Sequence, residues 1–229
     1  LHSNGSFLLK YTKFPFIVFS IFFFMGCQFL IFRQGIALIF IVISFRYIIN
    51  QDLKKFLICV ALGASIHNVA LAVIPLFWLS RLKVNYLTAN LLYIGFFLFS
   101  AFFAKIGLSL GLMLGGSIAD KVAIYSDSQC IEVERSLTTT LFNLIILNIT
   151  LFAMNKNQSH QRRIYYGLAI WSFLLTNIIS MVFQDGFNEL VRIAAGYRLG
   201  VYMCWGISLE QAYNHSKIAF TILILFLFI

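Results

Sequence analysis

Residues 56–79 read FLICVALGASIHNVALAVIPLFWL, a stretch of 24 residues that carries no charge and has His67 at its midpoint. About 20 consecutive apolar residues are enough for an α-helix to cross a bilayer. The stretch therefore predicts a membrane-spanning helix with one polar ring in its middle. Other uncharged runs of similar length follow along the chain.

The composition of the 229-residue chain supports this interpretation, because 61% of its residues are hydrophobic and 11% are charged. A soluble domain has roughly 45–50% apolar and about 25% charged residues. The composition thus excludes a soluble globular domain and a disordered chain. The runs do not alternate as barrel strands do, which favours helices. The net charge of +9 does not indicate a nucleic-acid partner, since Lys and Arg accumulate in the cytoplasmic loops of membrane proteins.

The runs predict an all-α fold, that of a polytopic integral membrane protein with about eight or nine hydrophobic segments. Phe14–Phe45 is interrupted by Arg33 alone, which predicts two short helices that meet near this residue. Ile106–Ile118 has 13 residues, so it predicts a short crossing, a re-entrant hairpin or a helix in the interface. The remaining predicted spans are Val84–Ala104, Leu137–Met154, Ile164–Phe183, Leu190–Ile207 and the run from Ile218 onward.

We expect residues 1–229 to form a single transmembrane domain with a polar outer loop at about 119–136. The first residue is Leu1 and the last run has 12 residues, so we expect a fragment of a longer protein that lacks sequence at both ends. The cysteines lack metal or disulfide spacing. No set of His, Cys or carboxylate residues has metal-ligand spacing either, so the sequence predicts no metal and no cofactor.

The distribution of Lys and Arg predicts an orientation. If the short segment crosses and the loop 46–55 is cytoplasmic, the cytoplasmic flanks hold ten basic residues and the outer flanks hold four. This asymmetry agrees with the positive-inside rule. Two of the outer four, Arg81 and Lys83, fit the rule poorly.

Three arginines, Arg33, Arg192 and Arg198, lie in apolar sequence, the first two near the predicted outer face. An ionised group at the bilayer centre costs on the order of 3 kcal/mol, so such residues usually face a bundle interior or a wet cavity. The planar guanidinium matches phosphate geometry. The pattern indicates an anionic lipid-linked ligand, with a diphosphate as the first candidate. The structural alternative is that the arginines reach the headgroups and that Glu189 pairs with Arg192.

His67 is the one histidine of four that lies inside an apolar run. Its structural interpretation is a hydrogen-bonded contact between helices. Its functional interpretation is a base or a hydrogen-bond donor to substrate. Asp185 and Glu189 compete for the role of base.

The run Phe29-Leu-Ile-Phe-Arg33-Gln34-Gly-Ile-Ala37, followed by a basic turn at 46–55 and a helix with a midspan His67, resembles the EpsG group of bacterial polysaccharide polymerases. That group is related to the Wzy O-antigen polymerases. Asp120–Tyr125 and Glu189–Tyr197 show a weaker similarity to an outer loop and an Arg-bearing helix of the group. The residues that flank the histidine, Ile and Asn, depart from the Phe and small hydroxyl residue that are usual there.

The resemblance implies a metal-independent, multi-pass glycosyltransferase of the bacterial cytoplasmic (inner) membrane. Such enzymes move a glycan chain from undecaprenyl diphosphate onto a lipid-linked repeat unit at the outer face. The partners would be that lipid-linked oligosaccharide, membrane lipid and a protein that regulates chain length. The residues that would bind substrate are Arg33, Gln34, Arg192, Tyr197 and Arg198, and the catalytic candidates are His67, Asp185 and Glu189.

Two other functions stay open at this point. A flippase for the same lipid-linked oligosaccharide would also use intramembrane Arg and His, although the sequence shows no internal repeat of the kind common in transporters. A membrane-bound O-acyltransferase built around His67 would need a second polar catalytic residue nearby. A purely structural role for the three arginines and His67 predicts that alanine at Arg33 leaves glycan length unchanged.

Overall fold

The computed structural model describes residues 32–99, 137–154, 159–183 and 188–226, with the single helical positions Phe102, Ile106, Ser109 and Met113. Within this part of the chain every regular element is a helix, so the predicted all-α class is confirmed. The elements are α1 (Phe32–Ile49), α2 (Leu53–Ile66), a 3₁₀ helix (Asn68–Val73), α3 (Leu76–Leu79), α4 (Tyr86–Leu98), α5 (Leu137–Met154), α6 (His160–Phe183), α7 (Asn188–His215) and α8 (Lys217–Phe226).

From α4 onward each helix overlaps one predicted run, and α5 has the predicted bounds. Helix α4 ends at Leu98 before the predicted end at Ala104, and α7 continues to His215 beyond the predicted end at Ile207. Across the ranges just given, no helix combines the length and the apolar composition that a membrane crossing requires. The predicted outer loop 119–136 and the segment before residue 32 lie outside the described residues, as does most of 106–118.

Helices α1 and α2 are joined by a tight turn at residues 50–52, in which Gln51 has a left-handed backbone (φ 61°). Asp52 caps α2, because its carboxylate accepts a hydrogen bond from the Lys55 backbone N–H at 3.1 Å. Its other carboxylate oxygen lies 2.9 Å from Lys55 Nζ. The hydrogen bonds from the side chain and the backbone N–H of Lys55 lower the pKa of Asp52.

The uncharged stretch does not continue as one helix but doubles back on itself. The ring centroids of Phe56 and Phe77 are 5.1 Å apart. In one straight helix these residues would be separated by about 31 Å. The prediction of a single spanning helix over Phe56–Leu79 is therefore wrong. Residues 53–80, which we call the 53–80 hairpin, consist of α2 as one arm and the 3₁₀ helix with α3 as the other.

The physical reason for the reversal is the backbone at His67, which is extended (φ −154°, ψ 128°). Its N–H closes α2 by donating to the Gly63 carbonyl at 2.9 Å. Its imidazole Nδ1 accepts the N–H of Val69 at 3.2 Å and thereby caps the 3₁₀ helix. One residue thus satisfies backbone groups at the end of one helix and the start of the next. His67 is the apex of the hairpin rather than a residue within a helix.

Helix α7 is the central element and contacts α1, the 3₁₀ helix, α5, α6 and α8. It packs tightly on α6: a Cβ added at Gly200 would lie 2.0 Å from the Ser172 Cβ. Ten residues further along α7, Glu210 lies 3.7 Å from Arg162 near the start of α6. These two contacts show that α6 and α7 are antiparallel.

Hydrogen bonds between side chains connect α4, α5 and α6. Asn90 and Asn148 exchange two amide hydrogen bonds of 2.9 and 3.0 Å between α4 and α5. Asn143 donates to Asn177 across 3.0 Å between α5 and α6. Amide pairs of this kind hold helices together where the surroundings are apolar.

The bundle has two ends. The turn end holds the 50–52 turn, the start of α6 and the close of α7. The second arm of the hairpin returns to this end, since a Cβ added at Gly167 of α6 would lie 2.3 Å from the Ser80 carbonyl oxygen. The apex end holds His67 and the starts of α1 and α7. Arg81 and Lys83 therefore lie at the same end as Lys55, and the prediction that separated them is wrong.

Candidate functional site

The apex of the 53–80 hairpin is built around His67, which is half-buried. Because Nδ1 accepts the Val69 N–H, the hydrogen of the neutral ring resides on Nε2. The imidazole therefore presents an N–H donor on the side away from the cap. This geometry suits donation to an anionic oxygen better than removal of a proton.

Tyr197 on α7 fixes the chain that follows the apex. Its hydroxyl donates a hydrogen bond to the carbonyl oxygen of Ala72 in the 3₁₀ helix. Tyr197 is 5% exposed, so its hydroxyl forms this hydrogen bond within the protein. The neighbouring Gly196 lets the two helices approach, since an added Cβ would lie 3.3 Å from Val69. Tyr197, predicted to bind substrate, here holds the hairpin against α7.

Arg198 follows Tyr197 and has the opposite environment. Between residues 196 and 212 of α7 it is the one exposed residue, while its neighbours on both sides are buried. The exposure of Arg198 shows that α7, although it is the central helix, is accessible from outside the bundle at this residue. This point lies one residue from the tyrosine that holds the 3₁₀ helix.

The register of α1 and α2 places Arg33 level with His67. A Cβ added at Gly63 of α2 would lie 3.5 Å from the carbonyl oxygen of Ala37 in α1. The two helices are antiparallel. Arg33 lies one turn before Ala37 in α1, and His67 lies one turn after Gly63 in α2, so both residues lie on the same side of this contact. Gln34 adjoins Arg33 in the first turn of α1. For both α1 residues the structure describes the helical backbone.

Arg192 and Glu189 lie in the first turns of α7, and for them too the helical backbone is described. Arg192 precedes Gly196 by one turn, about 6 Å along the helix axis. Its backbone is therefore at the apex end, as are those of Arg33 and His67. Asp185 lies outside the described residues.

Glu210 is a buried carboxylate that the sequence analysis did not single out. It is 8% exposed and pairs with Arg162 at the turn end, about 21 Å along α7 from Gly196. The signal available in the sequence was a carboxylate near the C-terminal end of α7 and a basic pair at the start of the preceding helix. Its distance from the apex indicates a structural role. Over the described ranges, no three His, Cys, Asp or Glu residues form a group that could hold a metal ion.

The sequence profile of the EpsG family matches residues 3–229, which is essentially the whole chain. The chain belongs to the EpsG family. The resemblance noted at Arg33, Gln34 and His67 is thus confirmed at the level of the family. EpsG membership supports a polymerase-type role in exopolysaccharide synthesis. Comparisons of this EpsG chain with curated proteins and with solved structures found no match.

Proposed function

We propose that this EpsG protein is a polymerase of the bacterial cytoplasmic membrane. It transfers a glycan chain from undecaprenyl diphosphate onto a lipid-linked repeat unit at the outer face. The family match over residues 3–229 is the observation that carries the reaction class. The hydrophobic content of 61% supports a membrane location. The basic residues gathered at the turn end support a cytoplasmic position for that end, and so an outward position for the apex.

The proposed reaction breaks the bond between the anomeric carbon of the donor glycan and the diphosphate oxygen. A hydroxyl oxygen of the acceptor repeat unit forms the new bond to that carbon, and its proton passes to a base. The diphosphate leaves with the bonding electrons and gains negative charge. Fixed cations placed where this charge develops would lower the barrier.

In this proposal Arg33 and Arg192 hold the diphosphate, and Arg198 contributes a third guanidinium. The support is positional, since the backbones of the first two share the apex end and the third is exposed beside Tyr197. Gln34 donates to phosphate or sugar. His67 donates through Nε2 because its Nδ1 is engaged by Val69. The base is then Asp185 or Glu189.

The test uses the full-length protein, returned to a strain from which its gene has been deleted. Arg33→Ala and Arg192→Ala are compared with Arg163→Ala, an exposed arginine at the turn end. A lost hydrogen bond to a charged group is worth about 1.5–3 kcal/mol, so polymerisation should fall at least about tenfold in the first two variants. Surface glycans resolved by size should then show single repeats, and the control should show long chains.

Two results would count against the proposal. Long glycans in both Arg33→Ala and Arg192→Ala, at normal protein level, would remove the diphosphate role. Loss of both single repeats and long chains would favour the flippase, because no repeat unit would then reach the outer face.

A further inference from the structure

The two ends of the 53–80 hairpin lie together and are basic. Arg81 sits over the Phe77 ring, with its guanidinium carbon 4.4 Å from the centroid. That ring is 5.1 Å from the ring of Phe56, which directly follows Lys54 and Lys55. The cations at both ends of the hairpin therefore belong to one surface. We call residues 50–55 and 80–85 the feet of the hairpin.

Between its feet the hairpin is uncharged and carries large apolar side chains on its exposed surface. Ile58 is 59% exposed on the first arm, and Leu71 is 49% exposed on the second. An exposed apolar face of this extent marks a surface that is covered by another apolar phase or by a partner. The same arms are buried on their other side against α1, α6 and α7.

The length of the arms determines how far the hairpin reaches. Fourteen residues of α2 rise about 21 Å, which is less than the hydrocarbon thickness of about 30 Å. Six residues of 3₁₀ helix followed by α3 cover a similar distance in return. If both feet of the hairpin lie at one headgroup layer, its apex thus lies inside the membrane, about two-thirds of the way across the hydrocarbon layer.

We propose that residues 53–80 are a re-entrant hairpin, which enters the bilayer from the cytoplasmic leaflet and returns to it. The exposed apolar face contacts lipid acyl chains, and the basic feet rest among anionic headgroups of that leaflet. This inference rests on the membrane location in the proposed function. It deepens that function, because the apex then carries His67 from the cytoplasmic leaflet to the outer third of the membrane, level with Arg33.

Three observations favour acyl chains as the occupant of the face. No charge interrupts residues 56–79. Cations stand at both feet, where headgroup phosphates would meet them. The rise of the arms fits within the hydrocarbon layer. Contact with a second copy of the chain or with another protein would not require the basic feet, the length of the arms and the apolar face to fit the layers of a bilayer.

The first measurement concerns the feet. All native cysteines are replaced, single cysteines are introduced by Asn50→Cys and Lys83→Cys, and a membrane-impermeant maleimide is applied to intact and to permeabilised cells. Both positions are exposed. The expected result is labelling of both only after permeabilisation. Labelling of Lys83→Cys alone in intact cells would show that the stretch crosses and would overturn the proposal. Labelling of both in intact cells would show that the hairpin enters from the outer leaflet, which would overturn the proposed leaflet and the orientation in the proposed function.

The second measurement concerns the exposed face. Nitroxides attached through Ile58→Cys and Leu71→Cys are examined in lipid nanodiscs for collision with oxygen and with a water-soluble nickel chelate. Buried Val60→Cys and exposed Asn50→Cys are the controls. Acyl contact predicts high oxygen and low nickel collision at both test positions. Low collision with both reagents would indicate a protein partner, and high nickel collision would indicate water, and either would overturn the proposal.

These measurements do not depend on polymerisation. Normal glycan length in Arg33→Ala and Arg192→Ala, with lipid contact at Ile58 and Leu71, would remove the diphosphate role in the proposed function and keep the re-entrant hairpin. The reverse combination would keep the polymerase and remove the hairpin.

Discussion

The Tyr197 hydroxyl donates to the Ala72 carbonyl oxygen, a hydrogen bond that spans 125 residues of sequence and joins α7 to the 3₁₀ helix after His67. The last carbonyls of a helix have no partner within it, so a donor from another element stabilises the helix end. The adjacent Gly196 allows the close approach of the two helices that this bond requires. The position of the hairpin apex thus depends on two neighbouring residues of α7.

Tyr197→Phe should therefore loosen the apex without emptying the core. The change removes one hydrogen bond and leaves a partly buried carbonyl without its donor, so the free energy of unfolding should fall by about 1–2 kcal/mol. Unfolding of the purified protein in detergent measures this. Tyr86→Phe, at an exposed tyrosine on α4, is the matched control and should change stability by less than about 0.5 kcal/mol. Equal stability of the two variants would show that the Tyr197 bond does not hold the hairpin.

Substitutions at His67 can separate its capping role from its proposed donor role. Asn places an oxygen where Nδ1 stands and still accepts the Val69 N–H, whereas Ala removes both functions. The free energy of unfolding should stay within about 0.5 kcal/mol of wild type in His67→Asn and fall by about 1 kcal/mol in His67→Ala. Both variants should lose long surface glycans, because neither carries Nε2. Long glycans at wild-type level in His67→Asn would restrict His67 to capping.

Hydropathy predicted where helices occur more accurately than how the chain runs between them. The bounds of α5 followed from polar residues at the ends of an uncharged run. The reversal at His67 did not follow from the sequence in this way, because an apolar stretch indicates burial but does not indicate where the chain turns back. It depends on one imidazole bond to Val69 and on a contact between Phe56 and Phe77, 21 positions apart. Neither has a sequence signature of its own.

The sequence likewise allowed some residues of the candidate site to be predicted, but not the roles of others. Arg33 and Arg192 attracted attention because charge in apolar sequence is costly, and their helices do begin at one end of the bundle. The part that Tyr197 plays could not be predicted, since its partner is a backbone carbonyl that every residue possesses. The exposure of Arg198 beside it depends on how the neighbouring helices pack against α7, which the periodicity of α7 alone does not determine.

Gly200→Ala should be the most damaging single-methyl change at a described glycine that contacts a side chain. The added Cβ would lie 2.0 Å from the Ser172 Cβ and 3.0 Å from its Cα, so α6 and α7 would have to separate. Overpacking of this kind costs about 1–3 kcal/mol in the free energy of unfolding. Ser172→Gly in the same chain should restore part of the loss. Gly95→Ala is the control: nothing lies within 4 Å there, so it should stabilise α4 by about 0.5–1 kcal/mol.

The cap at the α1–α2 turn should make stability depend on acid. The hydrogen bonds from Lys55 hold the pKa of Asp52 below its usual value of 3.8 in the folded protein. A depressed folded pKa means that the stabilisation is fully present well above that value and is lost as the pH falls through the folded pKa.

Asp52→Asn keeps the acceptor for the Lys55 N–H and removes the titration. Compared with this variant, wild type should lose part of its thermal stability between about pH 5 and pH 3. Thermal unfolding in detergent at half-unit steps of pH gives the comparison. Parallel curves for the two proteins over that interval would show that Asp52 does not couple protonation to folding of the turn.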